Sequence, residues 1–319
     1  MKQKIKIGTR KSKLALWQAN YVKQEIQKLF PDVRVSLVEI KTKGDHIQNV
    51  ALSKITGKGF FTKEIEEALL NKEIDIAVHS LKDLPTKLPA GLVIGAVTKR
   101  EKPHDVFLSS RSLMFNEFPP EARIGTSSLR RVAQLKAIRG DYDYLDIRGN
   151  LETRVNKLQS GQYEGIVLAY AGVKRLGIDF LIREEFNPKY ILPAVGQGAL
   201  GIEINEDSNE IMEVVSKLND EETHLISATE RSFLERLEGG CQVPIGAYSE
   251  VTDGKIFTYG MVSSLDGKRI VRDDIQGELS LNMCKEAGIK LAEKLLQNGG
   301  EEILKGINLT AQKFTGFDV

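Results

Sequence analysis

The sequence has few cysteines, few histidines and no excess of either sign of charge. Of its 319 residues, two are cysteines and four are histidines, and their spacing matches neither a zinc site nor a disulfide framework. Lysine and arginine number 45 and aspartate and glutamate 44, which leaves a net charge of +1. Proteins that bind nucleic acid usually carry a larger basic excess. We therefore expect no metal site and no nucleic-acid partner.

Long apolar runs are also absent. No run approaches the roughly 20 apolar residues that cross a bilayer as a helix. The N-terminus, M-K-Q-K-I-K-I-G, alternates like a strand and lacks the apolar core of a secretory signal. We expect a soluble cytoplasmic protein with no membrane partner. The length exceeds what one hydrophobic core usually supports, so two or three domains are expected.

Apolar strands that run directly into polar turns recur along the chain. Lys4–Gly8 reads as a strand followed by Arg10 and by Ser12, which suits the N-cap of a helix. Ile74–His79 reads as a buried strand that ends in S-L-K-D-L-P. Open α/β sheets place ligand groups at the carboxyl ends of their strands, and helix N-termini favour anions. The pattern predicts an anion-binding site at these ends.

Simpler roles exist for each of these residues. Ser12 caps a helix in many proteins without binding anything, and Arg10 alone is a solvated cation. The neighbours Lys82 and Asp83 can form a surface ion pair, which contributes little stability. The strand context favours a site at Asp83 over a plain ion pair.

Arginine is concentrated in one part of the chain. Between Arg123 and Arg175, ten basic residues stand against five acidic ones, a surplus of five in a chain of net charge +1. Several of these arginines follow predicted strands, and a guanidinium binds a carboxylate through two parallel hydrogen bonds. The cluster lacks interleaved aromatic residues for base stacking. It therefore predicts a pocket for carboxylates.

Two further segments contain candidate functional residues. Gly44–Gly59 has three glycines, no clear periodicity and two cations, Lys54 and Lys58, and we interpret it as a lid. Phe61 after it is a candidate for stacking on an aromatic ligand. Leu237–Tyr248, L-E-G-G-C-Q-V-P-I-G-A-Y, puts Cys241 on a turn between a helix and a strand. By placement alone, Cys241 is more commonly a small buried hydrophobe.

The order of elements predicts an α/β protein of two lobes with a third, small α+β domain. The first lobe is expected at 1–98 together with 199–219, and the second, rich in arginine, at 103–193. Lys99–Asp105 is interpreted as a polar crossing between them. The third domain, 220–319, reads as a helix, the Cys241 turn, a three-stranded meander and a last helix, in which Cys284 is structural.

Five strings resemble the porphobilinogen deaminase (hydroxymethylbilane synthase) family over nearly the whole chain: A-V-H-S-L-K-D-L-P-T, G-T-S-S-L-R-R, R-G-N-L-E-T-R, L-P-A-V-G-Q-G-A and L-E-G-G-C-Q-V-P-I-G. The resemblance implies two lobes like those of type II periplasmic binding proteins. It also implies a transferase that joins four porphobilinogen units head to tail, with loss of ammonia, into hydroxymethylbilane for haem, sirohaem, cobalamin or chlorophyll synthesis.

The resemblance assigns roles to individual residues. It implies one dipyrromethane cofactor per chain, held by a thioether to Cys241, and a catalytic role for Asp83 toward the cation left when ammonia departs. The other cofactor-binding residues implied are Ser80, Lys82, Thr126, Ser127, Ser128, Arg130, Arg131 and Arg154. The substrate-binding residues implied are Arg10, Ser12, Lys54, Lys58, Phe61, Arg148, Arg154, Arg175 and Gln197. It further implies a monomer and hand-over of the product to uroporphyrinogen-III synthase.

A protein of another class remains an alternative. A two-lobed binding protein for a small polyanion would use the same arginines without any chemistry, but it would need neither Cys241 nor Asp83. A nucleic-acid binder is disfavoured by the neutral total charge.

Overall fold

The computed structural model describes residues 2–42, 62–238 and 243–307. They form two compact units, each assembled from several chain segments. The first unit comprises Met1–Pro103, Tyr170–Asp179 and Gly196–His224, and the second comprises His104–Ala169, Phe180–Val195 and Leu225–Val319. Residues 170–179, which the sequence analysis placed in the second domain, thus lie with the first unit. The bounds of three domains stay a prediction.

The first unit contains a five-stranded mixed sheet. With elements numbered along the chain, its strands are β1 (Lys4–Thr9), β2 (Arg34–Glu39), β3 (Ile76–Ser80), β4 (Leu92–Val97) and β10 (Leu200–Asn205). Their order is β2-β1-β3-β10-β4, with β10 antiparallel to both of its neighbours. Its helices are α1 (Lys13–Leu29), α2 (Lys63–Leu70), α5 (Tyr170–Arg175) and α6 (Asn209–Val215).

Alternation along β1 sets the two sides of this sheet. Ile5 and Ile7 are fully buried whereas Lys4 and Lys6 are exposed, as expected of a strand with period two. On α1, Ala19, Val22 and Ile26 recur at helical spacing and pack on the same core as Ile5 and Ile7. The amphipathic helix is thereby held against the sheet, and its N-terminus lies beside the end of β1.

The second unit contains another five-stranded mixed sheet of the same plan. Its strands are β5 (Asp105–Leu108), β6 (Arg123–Gly125), β7 (Asp143–Leu145), β8 (Gly165–Ala169) and β9 (Ile182–Glu185). Their order is β7-β6-β8-β5-β9, again with one inserted strand, β5, antiparallel to both neighbours. The associated helices are α3 (Leu129–Lys136) and α4 (Leu151–Gln159).

Aromatic packing fixes the core beneath β5. Phe107 is fully buried, and its ring meets those of Phe115 and Phe118 edge-on at centroid distances of 5.5 and 5.6 Å. Gly165 on β8 leaves the space for Phe107, because an added Cβ would lie 2.1 Å from the phenyl ring. Sequence reasoning missed β5: it assigned Asp105 to a polar crossing, whereas Asp105 begins this buried strand.

The same unit carries an α+β part. Its antiparallel sheet is the meander β11 (Ile245–Thr252), β12 (Lys255–Ser263) and β13 (Ile270–Glu278), with helices α7 (Glu221–Arg236) and α8 (Leu281–Leu295). Cys284 on α8 is fully buried, in agreement with a structural role, and burial raises the pKa of its thiol. Two α/β sheets with one inserted strand each, together with this small α+β part, confirm the predicted fold class.

An ion triad lies inside the second unit. Asp105 is fully buried, and each of its carboxylate oxygens accepts a hydrogen bond from a different arginine of α3, both at 2.7 Å. Burial works to raise the pKa of Asp105, but the charges of Arg130 and Arg131 outweigh it and hold that pKa well below its usual range. The carboxylate therefore stays ionised and ties β5 to α3.

We expect Asp105→Asn to lower the free energy of unfolding by roughly 3–5 kcal/mol at neutral pH, because two buried guanidinium groups lose their counter-charge. The matched control is Asp141→Asn, which breaks an exposed pair with Arg139 and should cost less than about 1 kcal/mol. Urea unfolding followed by circular dichroism measures both variants.

Acidification should reduce the difference between wild type and Asp105→Asn. Because the folded-state pKa of Asp105 is lowered, its stabilisation is present above the unfolded-state pKa and is lost as the pH falls through the folded value. Equal stability of the two asparagine variants at neutral pH would show that the triad contributes nothing.

Candidate functional site

A pocket of about 80 Å³ opens at the carboxyl ends of β1 and β3 in the first unit. Four of the predicted site residues line it together: Arg10, Ser12, Ser80 and Asp83. Its wall also includes Gln18, Thr62 and His79, which were not predicted as site residues. The structure thus brings the first and third strand ends to one place, as the α/β pattern indicated.

The N-terminus of α1 forms one side of the pocket. Ser12 is its N-cap, and the hydroxyl oxygen accepts a hydrogen bond from the backbone N–H of Ala15 at 3.3 Å. The first turn of α1 contains no acidic residue. With Arg10 half-buried next to it, this end of the helix offers positive potential to an anion.

A single 3₁₀ turn, Leu81–Asp83, presents the carboxylate on the other side. Leu81 is buried, and its backbone N–H donates to the carbonyl of Ala199 at 3.0 Å, which anchors the turn. Asp83 at the end of the turn remains exposed. Ser80 is held by Gln18, whose amide donates to the serine hydroxyl at 2.8 Å. The backbone that carries the Asp83 carboxylate is therefore held in place.

Lys82 points to a different partner. Its ammonium group donates to the side-chain oxygen of Gln197 at 3.3 Å, and the Gln197 amide donates to the carbonyl of Pro103 at 2.6 Å. Gln197 itself is buried. Within the unit, Gln197 thus positions Lys82, and a direct contact of Gln197 with substrate stays a prediction.

Arg175 on α5 also lies in the first unit. Its guanidinium donates to the carbonyl of Gly198 at 2.7 Å and stands 5.5 Å from the centre of the Trp17 ring, which stacks on Tyr21. Burial lowers the pKa of Arg175, and the negative charge of Glu101 opposes that shift. A cation held against an aromatic face in this way is oriented before any ligand arrives.

The other predicted residues that the structure describes lie in the second unit. Arg130 and Arg131 were expected to meet carboxylates of a ligand, and in the structure both meet the carboxylate of Asp105. Arg130 donates in addition to the carbonyl of Leu192, and Arg131 to that of Val167. The Nε of Arg131 is buried and has no hydrogen-bond partner among the described residues.

A second polar cluster surrounds Asp146 after β7. Arg148 donates to its carboxylate at 2.8 Å. Burial works to raise the pKa of Asp146, but the nearby Ser127 hydroxyl, the hydrogen bond from Arg148 and the charges of Arg148 and Arg154 lower it overall. Arg154 also donates to the carbonyl of Gly149 at 2.9 Å. The two arginines and Ser127 therefore lie close to the same carboxylate.

The serine-rich turn before α3 is held by hydrogen bonds other than an N-cap bond from Ser128. Ser128 occupies the N-cap position, yet its side chain makes no capping hydrogen bond. Its backbone N–H is instead held by the hydroxyl of Thr126 at 3.3 Å, and the hydroxyl of Ser127 donates to the carbonyl of Ile147 at 2.6 Å. The backbone around this helix start is thus fixed by Thr126 and Ser127.

Two polar partners were missed by sequence reasoning. Asp105 opens the apolar run V-F-L, and an acid at the start of a buried strand was the available signal. His79 lies inside the string A-V-H-S-L-K-D, and its Nε2 is 2.9 Å from Oε2 of the buried Glu203. Nothing local to Glu203 in the sequence pointed to this pairing, because the two residues are 124 positions apart.

Four predicted residues lie outside the described part of the chain: Cys241, Lys54, Lys58 and Phe61.

Within the described part, no group of three or more histidine, cysteine, aspartate or glutamate side chains is arranged to hold a metal ion. None of the helices in 2–42, 62–238 and 243–307 combines the length and apolar character needed to span a bilayer.

Matches to solved structures are of low similarity. A putative methionine-binding lipoprotein from Bacillus subtilis matches with a TM-score of 0.42 and 10% identity, covering 68% of this chain and 90% of its own. The periplasmic aliphatic sulphonate binding protein from Escherichia coli matches with a TM-score of 0.39 and 14% identity, covering 75% of this chain and 71% of its own. These scores carry no argument about function.

Sequence relatives are far closer. The porphobilinogen deaminase of Carboxydothermus hydrogenoformans is 50% identical over 98% of this chain and 100% of its own length, and that of Desulforamulus reducens is 50% identical over 96% and 99%. Family models match residues 5–213, described as the porphobilinogen deaminase dipyromethane cofactor binding domain, and residues 225–297, described as its C-terminal domain. The chain belongs to the porphobilinogen deaminase family.

Proposed function

We propose that this protein condenses four porphobilinogen units head to tail, with loss of ammonia, into hydroxymethylbilane for tetrapyrrole synthesis. The observation that carries the proposal is the pocket in which Asp83 stands opposite Arg10 and the N-terminus of α1. Each porphobilinogen brings an acetate and a propionate and forms a cation when ammonia leaves. Such a substrate needs cationic groups and one carboxylate in the same site.

The substrate carboxylates are assigned to Arg10, the N-terminus of α1 at Ser12, and Arg175. A helix N-terminus and an arginine favour an anion for the same electrostatic reason. Arg148 and Arg154 are assigned to carboxylates of the lengthening chain, Lys54, Lys58 and Gln197 to the substrate, and Phe61 to the pyrrole rings. All of these contacts belong to the proposal.

The described residues fit a dipyrromethane with its four carboxylates. Arg131 keeps one buried donor without a partner among these residues, and Ser128 stands at the start of α3 without capping it. Further donors are Ser80 and Lys82 in the first unit and Thr126 and Ser127 in the second. One such group per chain, attached by a thioether to Cys241, would supply the pyrrole α-carbon to which new units are added.

Asp83 is proposed as the catalytic carboxylate. The aminomethyl group of the substrate is an ammonium ion at neutral pH and can leave as ammonia without a general acid. The positive charge that remains on the pyrrole and its methylene needs a fixed anion close by, and preorganised charge of this kind acts most strongly on developing charge. The anchored 3₁₀ turn holds Asp83 for that task.

Several finer properties belong to the same proposal. They are transferase chemistry, action as a monomer in the cytoplasm, and delivery of hydroxymethylbilane to uroporphyrinogen-III synthase. The competing hypothesis is a binding protein for a small polyanion, which would use the arginines but neither Asp83 nor a covalently modified Cys241.

The intact mass of the denatured, reduced protein tests the covalent cofactor. We expect a surplus equal to two pyrrole units in the wild type and none in Cys241→Ser, because only Cys241 forms the thioether. Cys284→Ser is the matched control and should keep the surplus, since that thiol is fully buried. A bare mass that does not rise after incubation with porphobilinogen would favour the binding-protein alternative.

Replacing Asp83 with asparagine tests the catalytic carboxylate. We expect Asp83→Asn to reduce kcat by about 100-fold or more, because the amide keeps the shape but not the charge that offsets the cation. Its melting temperature should stay close to that of the wild type, since Asp83 is exposed. Asp207→Asn, an exposed aspartate of the same unit, is the control. Near-normal turnover of Asp83→Asn would remove Asp83 from the mechanism.

Arg148→Ala tests the arginine cluster. We expect a higher KM for porphobilinogen and an accumulation of short, partly elongated enzyme species by mass spectrometry, because a carboxylate of the lengthening chain loses its partner. Arg183→Ala serves as the control, since that arginine binds backbone carbonyls on the surface of the same unit. If Arg148→Ala unfolds instead, the residue is structural.

A further inference from the structure

A buried acid–base pair stands against the pocket wall. His79, on β3, lines the pocket together with Asp83, and its Nε2 lies 2.9 Å from Oε2 of Glu203 on the neighbouring strand β10. His79 is 7% exposed and Glu203 is 0% exposed. Since the carboxylate engages Nε2, Nδ1 is the ring nitrogen that remains to meet a group in the pocket.

Glu203 is more than a packing residue. Its Oε1 is buried and has no hydrogen-bond partner among the described residues. A buried carboxylate with an unsatisfied oxygen is costly and uncommon in a purely structural position. An imidazolium beside it would offset that cost, because the positive charge would then neutralise the carboxylate.

Other charged groups surround the pair. Glu66 on α2 is buried, and burial raises its pKa; a hydrogen bond from Thr62 opposes this shift and the charge of Glu203 adds to it. Arg10 at the end of β1 and Asp83 after β3 line the same pocket. The charge of His79 also opposes the rise in the pKa of Glu66, so Glu66 interacts with both members of the pair.

The proposed reaction needs a base at this place. After the new carbon–carbon bond forms, the pyrrole α-carbon loses its hydrogen as a proton, and the C–H electron pair restores the aromatic ring. Ammonia released in the same condensation finally takes up one proton and becomes ammonium. A general base must lie within reach of the proton that it removes, and histidine is the residue that most often fills this role.

We propose that His79 is a further catalytic residue, which accepts the proton of the pyrrole α-carbon at Nδ1, and that Glu203 is its positioning residue. This inference rests on the proposed condensation of porphobilinogen. It divides the work in the pocket between two groups: Asp83 holds the cation, and His79 removes the proton. Glu203 fixes the ring and stabilises the imidazolium once it has formed.

The test uses the holoenzyme with porphobilinogen carrying deuterium at its free α-carbon. In His79→Gln we expect kcat to fall about 100-fold with KM little changed, and a deuterium isotope effect larger than in the wild type, because proton removal becomes rate-limiting. Glu206→Gln, an exposed glutamate just after β10, is the control and should behave as the wild type.

Glu203→Gln tests whether Glu203 positions the His79 ring for catalysis or only stabilises the fold. The amide still accepts the hydrogen bond of Nε2–H but lacks the charge, so the acid limb of the kcat profile should move to lower pH by about one unit or more.

Proton NMR of the resting protein gives a readout independent of turnover. The Nε2–H proton of His79, which is hydrogen-bonded to Glu203, should give a resonance at low field. This resonance should disappear in His79→Gln and move to higher field in Glu203→Gln.

The outcomes are distinguishable. A wild type that does not consume porphobilinogen overturns the proposed function and this inference with it. An active wild type with His79→Gln within about threefold of the control, and no larger isotope effect, overturns the inference alone. An unchanged pH profile in Glu203→Gln removes Glu203 from the positioning role. Melting temperatures close to that of the control show that the losses are not due to unfolding.

Discussion

Acidic side chains that are buried on the two inserted strands tie distant segments of each unit together. In the second unit, Asp105 neutralises one of two buried guanidinium groups and joins the inserted strand β5 to α3. In the first unit, Glu203 on the inserted strand β10 engages His79. Each antiparallel insertion thus carries an acid whose partner comes from a distant segment, and the low dielectric makes separation of the partners expensive.

These acids connect the core to the predicted site. Arg130 and Arg131 start a helix that follows directly on the serine-rich turn, so their pairing with Asp105 fixes where Ser128 stands. His79 precedes the 3₁₀ turn that presents Asp83, so its pairing with Glu203 fixes that strand end. The groups proposed for binding and chemistry are therefore held by contacts that lie beneath them.

Sequence patterns predicted much of this fold for identifiable reasons. β1 and β3 are apolar or alternating segments that run into polar turns. They were predicted at Lys4–Gly8 and Ile74–His79 and are observed at Lys4–Thr9 and Ile76–Ser80. Two strands were not predicted from the sequence. β5 is short and follows a polar, proline-containing segment, and β9 is half-exposed at a sheet edge, where little hydrophobic pattern is required. Both gain their hydrogen bonds from strands far away in the chain.

The sequence by itself determined the family, the two α/β sheets, and the pocket residues Arg10, Ser12, Ser80 and Asp83, because strand ends and helix starts are local features. The tertiary structure alone decided which charges are paired inside. Asp105 meets arginines about 25 residues away, and Glu203 meets His79 across 124 residues. Such pairings depend on which strands lie side by side, and strand order is set by packing of the whole sheet rather than by any local pattern.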